Sequence, residues 1–445
     1  MKSYDVVIIG GGPAGVTAAL SAKNSYPNKN IALIRKDENP MIPCGIPYTI
    51  FTLNNVVENI LSDAPLIANK IDIINGEVVD RKDHTLILSN EEEIKYEKLV
   101  LATGSSVVMP KIEGIEKEEV FLIRKKKDYL EKLRSAVHRA SKIVILGGGY
   151  IGVEVADELI KGGKNTTIVE MMPELLPTMD KEFGEKVKEI LTSRGCNVIT
   201  GKSIKKILGS NNVSGVELND NLISDCDLVI ISVGYKPNLE IIKKFGLSMQ
   251  EGRGVLVDDY LRTSEKDIFA VGDCAVKYDF FTGDLTNIML ASTAMAEGRL
   301  VGSNLYSIKV IRQYQGVLGT FSTKIGNTAF AISGVTEKRA IEKKLDYTVG
   351  ISKAIDRHPG KLPGASEVYV KLIFSTYSHT ILGAQIYGGD SAGELINMVS
   401  VMIQNRMTDT DINTLQIGTH PLLTPSPVVY PVINATINAI VKWFK

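Results

Sequence analysis

Short, almost purely apolar runs recur along the chain, and each is followed by a turn and then by a helix of small or amphipathic residues. Tyr4 to Ile9 and Ile143 to Leu146 are two of them. The first enters the turn Gly10-Gly11-Gly12-Pro13-Ala14-Gly15, and the second enters Gly147-Gly148-Gly149-Tyr150-Ile151-Gly152. Further strands are predicted at Ile31 to Ile34, at Leu99 to Ala102 ending in Thr103-Gly104, at Thr166 to Glu170, and at Leu228 to Val233 ending in Gly234. Continuous apolar strands alternating with helices are the pattern of parallel sheets covered on both faces.

Beyond Leu239 the chain returns to short strands, including Asp267 to Asp273, and to a helix from Ala291 to Leu305. It then changes character: strands at Glu367 to Phe374 and Thr380 to Tyr387 precede a helix at Ala392 to Gln404. The predicted fold class is α/β, with two doubly wound Rossmann-like nucleotide-binding domains plus a C-terminal α+β dimerisation domain. The expected boundaries are 1–112 completed by 239–325 for the first domain, 113–238 for the second and 326–445 for the third.

Both glycine turns carry the same chemistry. The first glycine (Gly10, Gly147) makes the sharp bend, the second (Gly12, Gly149) lets backbone approach a pyrophosphate, and the third (Gly15, Gly152) lets helix pack on strand. The anion then meets the positive end of the helix. Two such turns predict two dinucleotides. Glu170, at a strand end 23 positions after Gly147, suits the hydroxyls of an adenosine ribose and would repel a 2′-phosphate, which favours NADH over NADPH.

Composition narrows the partners. The 445 residues are 44% hydrophobic and carry 51 basic against 51 acidic side chains, so large cores are expected and nucleic acid is not. Arg124-Lys125-Lys126-Lys127 is read as the solvated start of a helix through Asp128 and Leu133. Met1 leads almost directly into the first strand, no apolar run has membrane-spanning length, and Pro431, Asn434 and Asn438 interrupt the stretch from Val428 to Phe444. A cytoplasmic protein with no membrane partner is expected. Cys44, Cys196, Cys226 and Cys274 show no metal-type spacing, so neither a structural metal nor a disulfide framework is expected.

The two glycine turns, Ala102-Thr103-Gly104, Val271-Gly272-Asp273 and the terminal α+β segment together resemble the FAD-dependent pyridine nucleotide-disulfide oxidoreductases. Pro43-Cys44-Gly45-Ile46-Pro47-Tyr48 is similar to their single-cysteine branch, which holds coenzyme A-disulfide reductases, NADH oxidases, NADH peroxidases and persulfide reductases. The resemblance covers essentially the whole chain. It implies that FAD lies beside Gly10, Gly12, Pro13, Ala14, Gly15, Arg35, Lys36, Cys44, Ala102, Thr103, Gly104, Gly272, Asp273 and Ala291, with Asp273 at the ribityl or phosphate region, and that Gly234, at the end of the echoing strand in the second domain, is a further cofactor-binding residue. It also implies that the nicotinamide dinucleotide lies beside Gly147, Gly149, Tyr150, Ile151, Gly152 and Glu170, with Tyr150 shielding the flavin and Glu154 near hydride transfer. Asp273 also suits a helix N-cap before Ala275. One departure stands out: the second strand ends in Arg35 rather than an acid. Arginine accepts no hydrogen bond, so Asp37 or Glu38 substitutes, or backbone and water hold the ribose.

Cys44 precedes an expected helix near Gly45, whose N-terminus would favour a thiolate. Two-cysteine relatives place their second cysteine five positions on, where this chain has Thr49. Oxidised Cys44 is therefore expected as a sulfenic acid or a mixed disulfide with a small thiol. By resemblance, His420 in Thr419-His420-Pro421 reaches a partner's Cys44 as an acid, which makes the enzyme a homodimer; Tyr430 is a second candidate acid, and a satisfied loop histidine is the competing reading of His420. His358 is read as a turn residue.

The expected reaction takes hydride from NADH to FAD and passes electrons through Cys44 to a low-molecular-weight disulfide, persulfide or polysulfide, coenzyme A disulfide included. Only Lys23 on the first helix offers a side chain to a coenzyme A phosphate. The rival readings are an NADH oxidase or peroxidase reducing O2 or H2O2, and a non-catalytic or electron-transfer flavoprotein with Cys44 structural.

Overall fold

The apolar run Lys2–Ile9 is the central strand of a sheet in the computed structural model, which describes residues 2–313 and 316–443; Met1 and Phe444, limits of segments named above, lie outside the described residues. Lys2–Ile9 pairs in parallel with Ile31–Arg35 on one side and Glu93–Leu101 on the other. Asp72–Asn75 extends the first edge, and Ile268–Ala270 pairs in parallel with Glu93–Leu101. An antiparallel ribbon of Thr85–Leu88 and Val78–Lys82, not among the strands expected above, completes the sheet. Val6, Val7, Ile8, Leu33 and Val100 are fully buried, each contributing roughly 1.5–3 kcal/mol of hydrophobic stabilisation.

Small residues bring two helices together behind this sheet. A Cβ at Gly298 of the Ala291–Asn304 helix would lie 2.6 Å from the Ala14 carbonyl oxygen of the Pro13–Ser25 helix, and one at Gly302 would lie 2.5 Å from that of Ala18. The glycines thus fix the start of the Pro13–Ser25 helix beside Gly272, whose own Cβ would stand 3.0 Å from that of Ala14.

The chain divides into two compact units: Met1–Ser141, Ile207–Gly215 and Cys226–Val317 form one, and Lys142–Lys206, Val216–Asp225 and Leu318–Lys445 the other. Within the first unit Val120–Leu122 also pairs in parallel with Leu228–Ile231. Within the second, Asn165–Glu170 lies between Lys142–Leu146 and Asn197–Thr200, all parallel. The same unit carries an antiparallel sheet in the order Phe321–Ile325, Thr328–Gly334, Ile381–Gly388, Glu367–Ser375, Tyr347–Ile355. The Pro431–Trp443 helix packs so tightly on that sheet that a side chain at Gly350 would overlap the Ala435 carbonyl. Buried Lys371 of this sheet is neutralised by Asp180 at 2.9 Å, Glu182 at 2.6 Å and Glu337 at 2.7 Å. The architecture is Rossmann-like parallel sheets with a separate C-terminal α+β domain. Among the described residues no helix is long and apolar enough to cross a membrane.

Candidate active site

In the first unit the turn after Lys2–Ile9 divides its work among three glycines. Gly10 has φ +124°, and a side chain there would overlap the Ala102 carbonyl oxygen. Gly15 is held just as closely, against the Gly10 carbonyl. Gly12 is different: its φ of −81° suits any residue, and a Cβ there meets nothing within 4 Å. Protein packing therefore does not require glycine at position 12. The open space over the start of the Pro13–Ser25 helix, whose first turn carries no acid, fits a dinucleotide phosphate.

The remaining first-unit candidates converge on this end of the sheet. Ala102 N–H donates to the Ile9 carbonyl at 2.8 Å. Thr103 Oγ1 donates to the Asn238 carbonyl at 2.8 Å, Asn238 Nδ2 donates back to the Thr103 carbonyl at 2.9 Å, and the Asn238 N–H donates to the Gly104 carbonyl at 2.9 Å. Gly104 (φ +67°) and Gly234 (φ +104°) both leave open space where a side chain would stand. Asp273 lies in a single 3-10 turn, Gly272–Cys274, and caps no helix there; its Oδ2 accepts from Ser105 Oγ at 2.6 Å. The turn is fixed from behind by the buried pair Lys277–Glu297 at 2.9 Å, with Glu297 also accepting from the Gly272 N–H at 2.7 Å. Ala291 begins its helix with no acid in the first turn.

Arg35 is buried, and its guanidinium is committed to protein. It donates to both oxygens of Asp63, at 2.5 and 2.6 Å, to Asn75 Oδ1 at 3.2 Å and to the Glu38 carbonyl at 3.0 Å. Asp37 and Glu38 are exposed. Exposed Lys36 pairs with Glu77 at 2.8 Å, and Lys23 Nζ donates to the Lys29 carbonyl at 3.0 Å.

Cys44 is exposed, on a three-residue 3-10 turn, Pro43–Gly45, followed by a second at Pro47–Thr49. The α-helix expected near Gly45 does not form: Pro47 has no amide to continue the ladder, and the segment folds as two single turns. A side chain at Gly45 would overlap Asn59 Oδ1, and Asn59 Nδ2 donates to the Ile42 carbonyl at 3.0 Å. Thr49 is buried, its Oγ1 donating to the Ile46 carbonyl at 2.7 Å, while Arg134 donates to the carbonyls of Thr49 at 2.7 Å and Leu53 at 2.9 Å.

Lys125 corrects the reading of the basic cluster as a solvated helix start. Arg124 and Lys126 are exposed, and Lys127 pairs with Glu131 at 2.8 Å, but Lys125 turns inward. Its Nζ donates to Ser105 Oγ at 3.1 Å and stands 4.7 Å from the centroid of the Tyr235 ring. Nothing local announced it, since Ser105 is 20 positions away.

In the second unit the same division of labour recurs. Gly147 has φ +106°, whereas a Cβ at Gly149 meets nothing within 4 Å. Buried Glu170 accepts from the Gly148 N–H at 2.5 Å and from the Met172 N–H at 2.7 Å. On the Tyr150–Lys161 helix, Ile151 is partly buried and Gly152 buried. The Tyr150 ring packs edge-on against Phe321, centroids 3.9 Å apart, with its hydroxyl on Thr178 Oγ1. Partly buried Glu154 accepts from Thr323 Oγ1 at 2.7 Å, and burial pushes its carboxyl up to about 7. His420 is exposed, its Nδ1 accepting from the Leu422 N–H at 3.2 Å. His358 ties this loop down, its backbone N–H donating to the Pro421 carbonyl at 3.1 Å. Tyr430 is buried, which raises its phenol.

Residues 4–298 match the pyridine nucleotide-disulphide oxidoreductase family, and residues 320–429 match that family's dimerisation domain. The chain is 31% identical over 428 residues to an NADH oxidase of Methanocaldococcus jannaschii, covering 92% of this chain and 93% of that one. It is 31% identical over 399 residues to an NAD(P)H coenzyme A polysulfide/persulfide reductase of Pyrococcus horikoshii, with 86% and 87% covered. Among solved structures, an NAD-dependent persulfide reductase from A. fulgidus superposes with a TM-score of 0.90 at 30% identity, over 98% of this chain and 83% of the other. The chain belongs to the pyridine nucleotide-disulphide oxidoreductase family and is an FAD-dependent NAD(P)H oxidoreductase.

Proposed function

We propose that the enzyme takes electrons from NADH and delivers them, through Cys44, to the sulfur of a low-molecular-weight disulfide, persulfide or polysulfide. The observation that carries this reading is the single exposed thiol: Cys44 is exposed while Cys196, Cys226 and Cys274 are buried, and the position of a second active cysteine holds an inward-facing threonine. FAD, when bound, supplies two-electron transfer between nicotinamide and sulfur.

In this reading Gly10, Gly12, Pro13, Ala14, Gly15, Ala102, Thr103, Gly104, Gly272, Asp273 and Ala291 hold FAD in residues 1–112 and 239–325, and Gly234, in residues 113–238, is a further cofactor-binding position. Arg35 and Lys36 serve it indirectly, Arg35 by fixing the backbone that follows its strand through Asp63. Gly147, Gly149, Tyr150, Ile151, Gly152 and Glu170 hold NADH in residues 113–238. Each Glu170 oxygen accepts one backbone N–H and keeps a lone pair for a ribose hydroxyl, while its charge opposes a 2′-phosphate. Glu154 is poised to hold a proton near neutral pH. Residues 326–445 pair with a second copy, a reading supported by the family match and by exposed Leu423, Val428 and Val441. That pairing would present His420 or Tyr430 to the partner's thiol as an acid. A reducing, cytoplasmic setting suits a chain of this length with only four cysteines.

Oxygen reduction is the second reading, supported by the relative named NADH oxidase in Methanocaldococcus jannaschii. Coenzyme A disulfide is the less favoured substrate because the first helix offers its phosphates one side chain, Lys23, which already gives one of its three donors to the Lys29 carbonyl. Anaerobic NADH oxidation, followed at 340 nm, with coenzyme A disulfide, a smaller disulfide, polysulfide or peroxide, and aerobic oxidation without them, tests the reading. Anaerobic turnover on a sulfur acceptor supports it; turnover with oxygen or peroxide alone overturns it in favour of the second.

A further inference from the structure

We propose that Thr323 is a positioning residue for Glu154 in NADH oxidation: a hydroxyl on the antiparallel C-terminal sheet holds the carboxylate at the nicotinamide site. The inference rests on the reading of Tyr150 and Glu154 as the nicotinamide end of that site.

Two elements of the second compact unit meet along their length: the Tyr150–Lys161 helix and the Phe321–Ile325 strand, an edge of the antiparallel sheet. The Tyr150 ring packs edge-on against Phe321, centroids 3.9 Å apart. Glu154 accepts from buried Thr323 Oγ1 at 2.7 Å, and Asp157 Oδ1 accepts from the Gly326 N–H at 2.9 Å. Helix positions 150, 154 and 157 share one face, and positions 321 and 323 share one side of the strand. The spacings agree, since four helical residues rise about 6 Å and two strand residues about 7 Å. A single register of strand against helix therefore makes all three contacts, and it is this register that brings the hydroxyl to the carboxylate.

The charge so held suits the reaction. NADH oxidation breaks a nicotinamide C–H bond, and as hydride leaves for FAD with both electrons of that bond the ring becomes cationic. An anionic Glu154 stabilises the developing charge. Burial opposes the anion, pushing the carboxyl up to about 7, while the Thr323 hydroxyl donates to it and works the other way. The other titratable groups of the two elements have partners of their own: the Tyr150 hydroxyl meets Thr178 Oγ1, Asp157 pairs with Arg194, Glu158 with Lys161 at 3.9 Å, and Lys324 with Asp390 at 2.5 Å.

The test is the rate of flavin reduction by NADH in stopped flow, without oxygen or any other acceptor, between about pH 5 and 9. In native protein the rate rises with pH as Glu154 ionises. Thr323→Val moves the midpoint up by about one pH unit and slows reduction at neutral pH several-fold, with the Kd for NADH unchanged. Thr323→Ala gives the same shift and serves where valine disturbs the fold, and Thr323→Ser restores the native midpoint. A second readout needs no turnover: the urea midpoint of Thr323→Val falls further below native at about pH 9 than at about pH 6, and by equal amounts at both when glutamine also replaces Glu154. An unchanged pH midpoint of reduction in folded, flavin-bearing Thr323→Val or Thr323→Ala overturns the proposal. Glu154→Gln separates this from failure of the underlying reading: slow, pH-independent reduction in that variant supports a role for Glu154, whereas native rate and pH dependence overturn that role and the inference with it.

Discussion

The Glu170 carboxylate accepts a 2.5 Å hydrogen bond from the Gly148 amide, so the acid at the strand end and the glycine turn 22 positions before it form one unit. Its second oxygen accepts from Met172 N–H at 2.7 Å. A residue expected only to meet ribose therefore also shapes the turn that would hold the pyrophosphate.

Glu170→Ala is expected to erode the preference for NADH over NADPH and to raise the KM for NADH about tenfold or more, since a hydrogen-bonded charge is worth roughly 1.5–3 kcal/mol. It should also lower stability by about 1–3 kcal/mol, because two backbone donors lose their acceptor. Steady-state kinetics with both nucleotides and urea unfolding check the two effects separately.

Gly10→Ala and Gly12→Ala should separate folding from cofactor binding. A methyl group at Gly10 collides with the Ala102 carbonyl at φ +124°, so that variant unfolds or accumulates poorly. One at Gly12 enters space empty of protein, so the variant folds with stability within about 0.5 kcal/mol of native when flavin-free. Its bound flavin, measured by absorbance per protein, falls sharply.

Breaking the Arg35–Asp63 pair tests how the loop after the second strand is held. Asp63→Asn leaves the buried guanidinium without its counter-charge, at a cost of about 1–3 kcal/mol. Thermal unfolding should register that loss, and flavin retention should fall with it.

Glu154 supplies a pH dependence. Its carboxyl is raised from 4.5 to about 7 by burial, so folding favours the protonated form. The associated stability is complete below the unfolded value and is lost as pH rises towards about 7. Glu154→Gln should therefore be more stable than native at about pH 8, by at most about 3 kcal/mol, with the difference shrinking towards about pH 5. Chemical denaturation at the two pH values measures it.

The sequence carried the fold because its signals are local: apolar runs, glycine turns and the small residues that let the Pro13–Ser25 helix approach Gly298 and Gly302. Glu170 was a candidate for the same reason, standing 23 positions after Gly147, and Cys44 was a candidate through the motif running from Pro43 to Tyr48. Ser105 and Asp273 are 168 positions apart, and Thr103 and Asn238 are 135 apart. No periodicity links such pairs; only the folded chain brings them together. The cluster Arg124 to Lys127 shows the limit most plainly, because four adjacent basic residues look alike in sequence while Lys125 alone turns inward. The misplaced helix after Cys44 is a different kind of failure, in which the proline at 47 outweighed the helical pattern.

Anaerobic NADH consumption by Cys44→Ser, with a low-molecular-weight disulfide or polysulfide as acceptor, tests the central claim most directly. With flavin content and fold retained, the variant should lose this turnover by at least about a hundredfold, as expected when a thiolate nucleophile is removed. Native-level disulfide turnover in the same variant would contradict a route through Cys44.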